Sequence, residues 1–229
     1  ENYMNHSVNY NYVKHIPGWM NWYDLSILSM CSSLVPDNSC AVEIGGFCGR
    51  SSSVIAANIK DSCKFHSIDL WEFSDTYPIA VGYSHPDLTE EDIRVASKLA
   101  RDAGSWKAVW DNFVPHKPNV FGLKLHSDNY NVQANTMFAF IDGDHSRNSV
   151  YTDLNKFIGI KECLIIGDDF TKKFKDDVPL AVLDHYLEHN DRYLISFPKS
   201  KLYALWPTVG YWADKLPLVL KEYNKILQT

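Results

Sequence analysis

The stretch Val42-Glu43-Ile44-Gly45-Gly46-Phe47-Cys48-Gly49-Arg50-Ser51-Ser52 constrains this chain more than any other. A short apolar run ends in an acid and a glycine-rich bend, and small polar residues then open an Ala- and Ile-rich helical segment, Ser53 to Ile59. Strand, glycine turn, helix is the geometry by which α/β folds hold a nucleotide-like ligand at the carboxyl end of a strand. Glycines supply positive φ and let the backbone approach that ligand closely. The spacing is not the dinucleotide one. Gly45 and Gly46 are adjacent, so the pattern reads E-x-G-x-x-x-G and no G-x-G-x-x-G is present.

At 229 residues the chain has the length of one α/β domain, or of one with an insertion. A net charge of -6 lacks the basic face that nucleic-acid binding calls for. The cysteines Cys31, Cys40, Cys48, Cys63 and Cys163 are odd in number and without C-x-x-C spacing, which suits buried free thiols in a reducing compartment. No segment approaches the roughly 18 apolar residues of a membrane span. The polar, Asn- and Tyr-rich start is not a signal peptide. The expectation is a cytoplasmic protein with no membrane or nucleic-acid partner.

Apolar residues recur at helical spacing from Trp19 to Leu34, after Pro17-Gly18 and before Pro36-Asp37. This predicts an amphipathic helix that packs on the domain or lids its ligand site, within an N-terminal extension of about residues 1–36. Strands are predicted at Ala41–Ile44, Lys64–Ile68, Val120–Leu125, Met137–Ile141 and Cys163–Ile166. Residues 71–118 are too long for a plain crossover. They read as a cap insertion, with a helix that Thr89-Glu90-Glu91-Asp92 starts and Gly104 ends. A helix near Pro179–His189 precedes Tyr193–Phe197 and Leu202–Trp206, a hairpin, and a last amphipathic helix covers Trp212–Leu227. The pattern is α/β and Rossmann-like: seven strands, mostly parallel, helices on both faces, and a C-terminal antiparallel hairpin strand at the end of the sheet.

Chemistry concentrates at strand ends. Asp69 closes the second strand, where an acid accepts hydrogen bonds from ribose hydroxyls. Asp142-Gly143-Asp144-His145 closes the fourth strand and Asp168-Asp169 the fifth. On neighbouring parallel strands, four carboxylates would converge and raise one another's pKa. A divalent cation removes that conflict, and oxygen-only ligation favours Mg²⁺, Mn²⁺ or Ca²⁺.

The motif E-x-G-x-x-x-G with Asp69 resembles motif I of the class I S-adenosylmethionine (SAM) methyltransferases. The runs FAFIDGDHSRNSVYTDL and LIIGDDF, with IPGWM and EIGGFCGRSS upstream, are similar to the Methyltransferase 24 group of SAM-dependent O-methyltransferases. That group includes metal-dependent enzymes acting on macrolide sugars, aminocoumarins and a cephamycin intermediate. The resemblance runs from about residue 16 to 207. It implies a SAM site at Glu43, Gly45, Gly46, Gly49, Ser51, Asp69, Asp128 and Asp142. Asp128 comes in through His126-Ser127-Asp128, where relatives often have Gly-Asp-Ser. It makes Asp142, Asp168 and Asp169 the metal ligands, and either His145 or Asp144 the general base.

A sulfonium methyl is already electrophilic, so such an enzyme mainly positions a nucleophile in line with it. A metal-bound hydroxyl loses its proton more readily, and a neighbouring base accepts it. The expected function is therefore SAM- and metal-dependent methylation of a hydroxyl on a small molecule: a sugar, a phenol or a natural-product intermediate. Trp71, Tyr77, Tyr83, His85, Trp106 and Trp110 are the aromatics expected to cap the acceptor. A homo-oligomer is compatible with the aromatic N-terminus. A metal-dependent glycosyltransferase would explain the acids and leave motif I unexplained. An NAD-dependent oxidoreductase would explain Asp69 and leave the acids unexplained. A non-catalytic SAM-binding module has no need of the acids.

Overall fold

Every residue of Cys40–Ile44 (β1) is buried, as a strand covered on both faces requires. The computed structural model describes residues 5–74, 86–171, 177–189 and 191–228. Around β1 lie β2 (Lys64–Asp69), β3 (Val120–Lys124), β4 (Thr136–Ile141), β5 (Leu164–Gly167), β6 (Arg192–Ser196) and β7 (Tyr203–Pro207). They form one sheet in the order β3-β2-β1-β4-β5-β7-β6. The pairings among the first five strands are parallel, while β7 pairs antiparallel with both β5 and β6. The expected antiparallel strand is thus present but does not end the sheet. All five residues of β7 are buried, so it needs a neighbour on each side; partly exposed β6 takes the edge.

Side-chain alternation sorts the helices. Ala41, Phe65, Phe138, Phe140 and Trp206 belong to the core shared with α1 (Tyr10–Val13), α2 (Trp22–Ser33), α3 (Arg50–Asn58), α4 (Glu90–Ala103), α5 (Lys107–Phe113) and α8 (Leu216–Ile226). Val42, Ile44, Ala139, Ile141 and Leu205 pack with α6 (Arg147–Ile158) and α7 (Asp177–Glu188). Strand order reverses between β1 and β4, and a cleft opens at the carboxyl ends there, as in other open α/β sheets.

Two helix expectations need correcting. α2 has no polar stripe, since every residue from Asp24 to Ser32 is buried. It lies against α3 and α8 as a core helix and does not line the cleft. Its serines are tolerated because Ser26 and Ser32 donate to the carbonyls of Trp22 and Leu28, each at 2.7 Å. The last helix is shorter than expected. A 3-10 turn at Ala213–Lys215 precedes α8, and Pro217 sits in the first turn, where no backbone donor is needed. By contrast α4 starts and stops as its residues dictate, with a Thr89/Asp92 capping box and a left-handed Gly104.

Of the insertion, α4 and α5 are described; Tyr77, Tyr83 and His85 lie outside the described residues. Trp110 is not a cap residue. It is buried, and its indole N–H donates to Ser52 Oγ at 2.9 Å beneath the glycine loop. The five cysteines are buried and unpaired. Among the described residues no helix is long and apolar enough to cross a membrane.

Candidate functional site

The cleft has a volume of about 1520 Å³. Of the residues singled out from the sequence it is lined by Gly45, Gly46, Ser51, Asp69, Asp128, Asp142, Asp144, His145, Asp168 and Asp169, together with Trp71 and Trp106. Glu43 and Gly49 stand behind it.

At the glycine end, the loop is built from within. Glu43 is fully buried and accepts hydrogen bonds from Ser51 Oγ and Ser67 Oγ at 2.5 Å each, and from Ser52 Oγ. Burial raises its carboxyl to about 7 even though these three hydroxyls oppose the shift. Glu43 therefore ties β1, β2 and α3 together. Gly45 has φ +95°, and a Cβ there would lie 1.9 Å from the Asp142 carbonyl oxygen, so β1 and β4 meet only because the residue is glycine.

Asp69 organises the same loop from the second strand. Its Oδ2 accepts the Phe47 N–H at 2.8 Å and its Oδ1 accepts the Trp71 N–H at 2.7 Å. Each oxygen keeps a further lone pair, so ribose hydroxyls can bind without breaking either contact. Phe47 and Trp71 are held in the left-handed region, at φ 37° and 44°. Such conformations persist only where the surroundings over-determine them. Here the two Asp69 contacts and a 2.6 Å bond from the Trp71 indole to the Phe47 carbonyl do so.

An aromatic wall continues from this loop. Trp19 stacks on Phe47 with centroids 5.7 Å apart, and Phe47 meets Trp106 at 5.5 Å. The N-terminal segment therefore reaches the cleft through Pro17–Met20, not through α2. On the far side a 3-10 turn at Ser127–Asn129 presents Asp128, which pairs with Lys156 at 2.9 Å. That contact holds its carboxyl below the usual carboxylate range.

The acid end differs from its expected form. Asp144 does not join the other acids. Its Oδ2 accepts Ser146 Oγ and Ser149 Oγ at 2.8 Å each, which anchors the first turn of α6. The acid pair after β5 is met instead by Lys201, whose Nζ lies 2.5 Å from Asp168 Oδ2 and 3.1 Å from Asp169 Oδ1. Asp168 Oδ1 accepts the Asp169 N–H at 2.7 Å, and Asp169 Oδ2 lies 3.3 Å from His145 Nδ1. All four oxygens of the pair thus have partners. Burial raises Asp142 and Asp168, and the Lys201 ammonium works against it in both. For Lys201, burial alone would lower the pKa; Asp168, Asp142 and Asp169 outweigh it and raise it.

This arrangement does not fit an open divalent-cation site. Among the described residues no three Asp, Glu, His or Cys side chains are grouped to hold a metal. The place between Asp168 Oδ2 and Asp169 Oδ1 where a shared ion would sit is occupied by the ammonium. Sequence pattern gives Lys201 no role, since it lies between the turn Pro198-Lys199-Ser200 and the strand that follows. The signal was its position: a strand returning antiparallel beside β5 begins at the carboxyl edge, where the acids are.

A glycine loop tied to an acid at the end of β2, on a sheet of this order, defines a class I SAM-dependent methyltransferase. The profile of the Methyltransferase 24 group, described as a methyltransferase domain, matches residues 42–170, more than half of the chain. The chain belongs to that methyltransferase family. A Corynebacterium glutamicum protein of known structure aligns with a TM-score of 0.54 at 13% identity, over 86% of this chain and 85% of that one. The O-methyltransferase NovP aligns with a TM-score of 0.54 at 16% identity, over 80% and 78%. At these identities the likeness attests the fold. None of the curated protein sequences compared matches significantly.

Proposed function

We propose that the protein transfers the methyl group of SAM to a hydroxyl of a small molecule. One observation carries this: a single cleft contains both the Asp69-held glycine loop and a histidine, His145, set against Asp169 at 3.3 Å. In this reading Gly45, Gly46, Ser51, Asp69 and Asp128 surround the donor, with Asp142 at the junction, and Glu43 and Gly49 keep the loop in shape from behind. The acceptor oxygen attacks the methyl carbon, the carbon–sulfur bond breaks, and sulfur keeps the electron pair. The hydroxyl proton goes to His145, whose ring Asp169 orients. Asp144 is the weaker choice of base, since Ser146 and Ser149 already hold it.

Trp19, Phe47 and Trp106 favour an acceptor with a flat or ring-shaped face, a sugar or a phenol. The cation that the family resemblance implies, Mg²⁺, Mn²⁺ or Ca²⁺, has no step in this mechanism, because Lys201 holds the oxygens it would use. Five buried thiols favour a reducing compartment such as the cytoplasm.

Calorimetric titration with S-adenosylhomocysteine and, separately, with NAD tests the reading. Micromolar binding of the homocysteine nucleoside, lost in Asp69→Ala, is the expected result. Binding of NAD alone would overturn it in favour of an oxidoreductase.

A further inference from the structure

We propose that Lys201 is the resident cation of the acid end, neutralising Asp168 and Asp169 where a divalent ion would otherwise sit, so that the folded protein has no vacant metal site there.

Lys201 Nζ bridges one oxygen of each acid, at 2.5 and 3.1 Å, and the two remaining oxygens are met by the Asp169 N–H and by His145. A metal ion shared by the pair would sit where the ammonium now bridges them, and two cations that close repel. It would have to displace a lysine whose backbone is fixed at both ends. The Lys201 N–H donates to Asp24 Oδ1 at 3.1 Å, and its carbonyl accepts the Phe170 N–H at 2.9 Å. Asp24 is itself held by its own contacts: fully buried, it closes the capping box of α2 and also accepts Ser200 Oγ at 2.6 Å.

Asp169 is left-handed at φ 58°, a region that Asp visits more readily than most non-glycine residues. One of its oxygens meets Lys201 and the other meets His145, so the lysine acts on the histidine through Asp169 as a positioning residue. The inference rests on the methyltransferase reading only for what His145 does; the cation role stands on these contacts alone.

The test compares Mn²⁺ binding, by loss of the free-ion electron paramagnetic resonance signal, in wild type, Lys201→Met, Lys201→Arg and Lys201→Met with Asp168→Asn. Wild type and Lys201→Arg are expected to bind Mn²⁺ weakly. Lys201→Met is expected to bind at least about tenfold more tightly, because removing the ammonium leaves buried carboxylates in need of a cation. Adding Asp168→Asn should abolish that gain. Binding in wild type as tight as in Lys201→Met, or a folded Lys201→Met that gains nothing, overturns the proposal. If Lys201→Met does not fold, melting of the wild type decides. A rise in Tm on adding Mn²⁺ overturns the proposal, and equal Tm in EDTA and in Mn²⁺ supports it. Titration of the same wild-type sample with S-adenosylhomocysteine separates the two readings. Its failure to bind removes the methyltransferase reading and leaves the Mn²⁺ result to judge Lys201.

Discussion

Two strand ends of one sheet carry acids into the same cleft and stabilise them by opposite means. At the end of β2, Asp69 is held by the N–H groups of Phe47 and Trp71, neutral dipoles from the chain around it. At the end of β5, Asp168 and Asp169 are held by a whole charge, Lys201, brought from the start of β7. Neutral donors leave Asp69 with lone pairs to spare for a ligand. The ammonium fills the space between the two carboxylates and supplies the balancing charge. In our proposal the first end receives a polar nucleoside and the second is complete without an added ion.

Removing the charge should break that contrast most strongly. Lys201→Met leaves two buried carboxylates without their cation and should lower stability by roughly 3–5 kcal/mol, read by urea unfolding at neutral pH. At the other end, buried Glu43 supplies a sharper test by pH. Its folded-state value of about 7 lies above the 4.5 of an ordinary Glu. Between those values the folded protein keeps a proton that the unfolded chain has lost. Stability should accordingly be full below 4.5, decline as pH rises through 7, and be lower above it by about 3 kcal/mol. Glu43→Gln should flatten this part of the profile, and an unchanged slope would place the charge cost elsewhere.

Asp69→Asn keeps one acceptor oxygen and sets an amide against the other N–H. It should weaken S-adenosylhomocysteine binding by roughly ten- to a hundredfold, the loss of one or two hydrogen bonds to the nucleoside, while Mn²⁺ behaviour stays as in wild type. The smallest effect is expected at Asp144, whose hydrogen bonds among the described residues stay within its own turn. Asp144→Ala should cost about 1 kcal/mol in thermal unfolding, the usual value of a helix-start contact, with nucleoside binding retained. A loss of binding there would return Asp144 to the site.

What could be read from the chain follows the range of the interaction involved. The glycine loop, the Asp69 strand end and the Thr89/Asp92 capping box each lie within a few residues of the groups they organise. Seven strands were legible from apolar runs between turns, and only the place of the antiparallel one in the sheet was not. The full burial of α2 is not legible because it depends on α3, α8 and the segment before it, none of which its own periodicity reveals. The place of Trp110 is hidden in the same way: the spacing that marks an aromatic stretch is silent on whether an indole faces a ligand or Ser52.

The sequence alone determined the class of fold, the glycine turn and the family, because propensities, turn chemistry and strand-end acids are local properties of consecutive residues. Only the tertiary structure decided how the acids are neutralised. Asp168 and Lys201 are 33 positions apart, and they meet because β7 enters the sheet beside β5 with Asp24 of α2 pinning its first turn. Burial sets the strength of that pairing, since a charge removed from water must find its partner inside the protein.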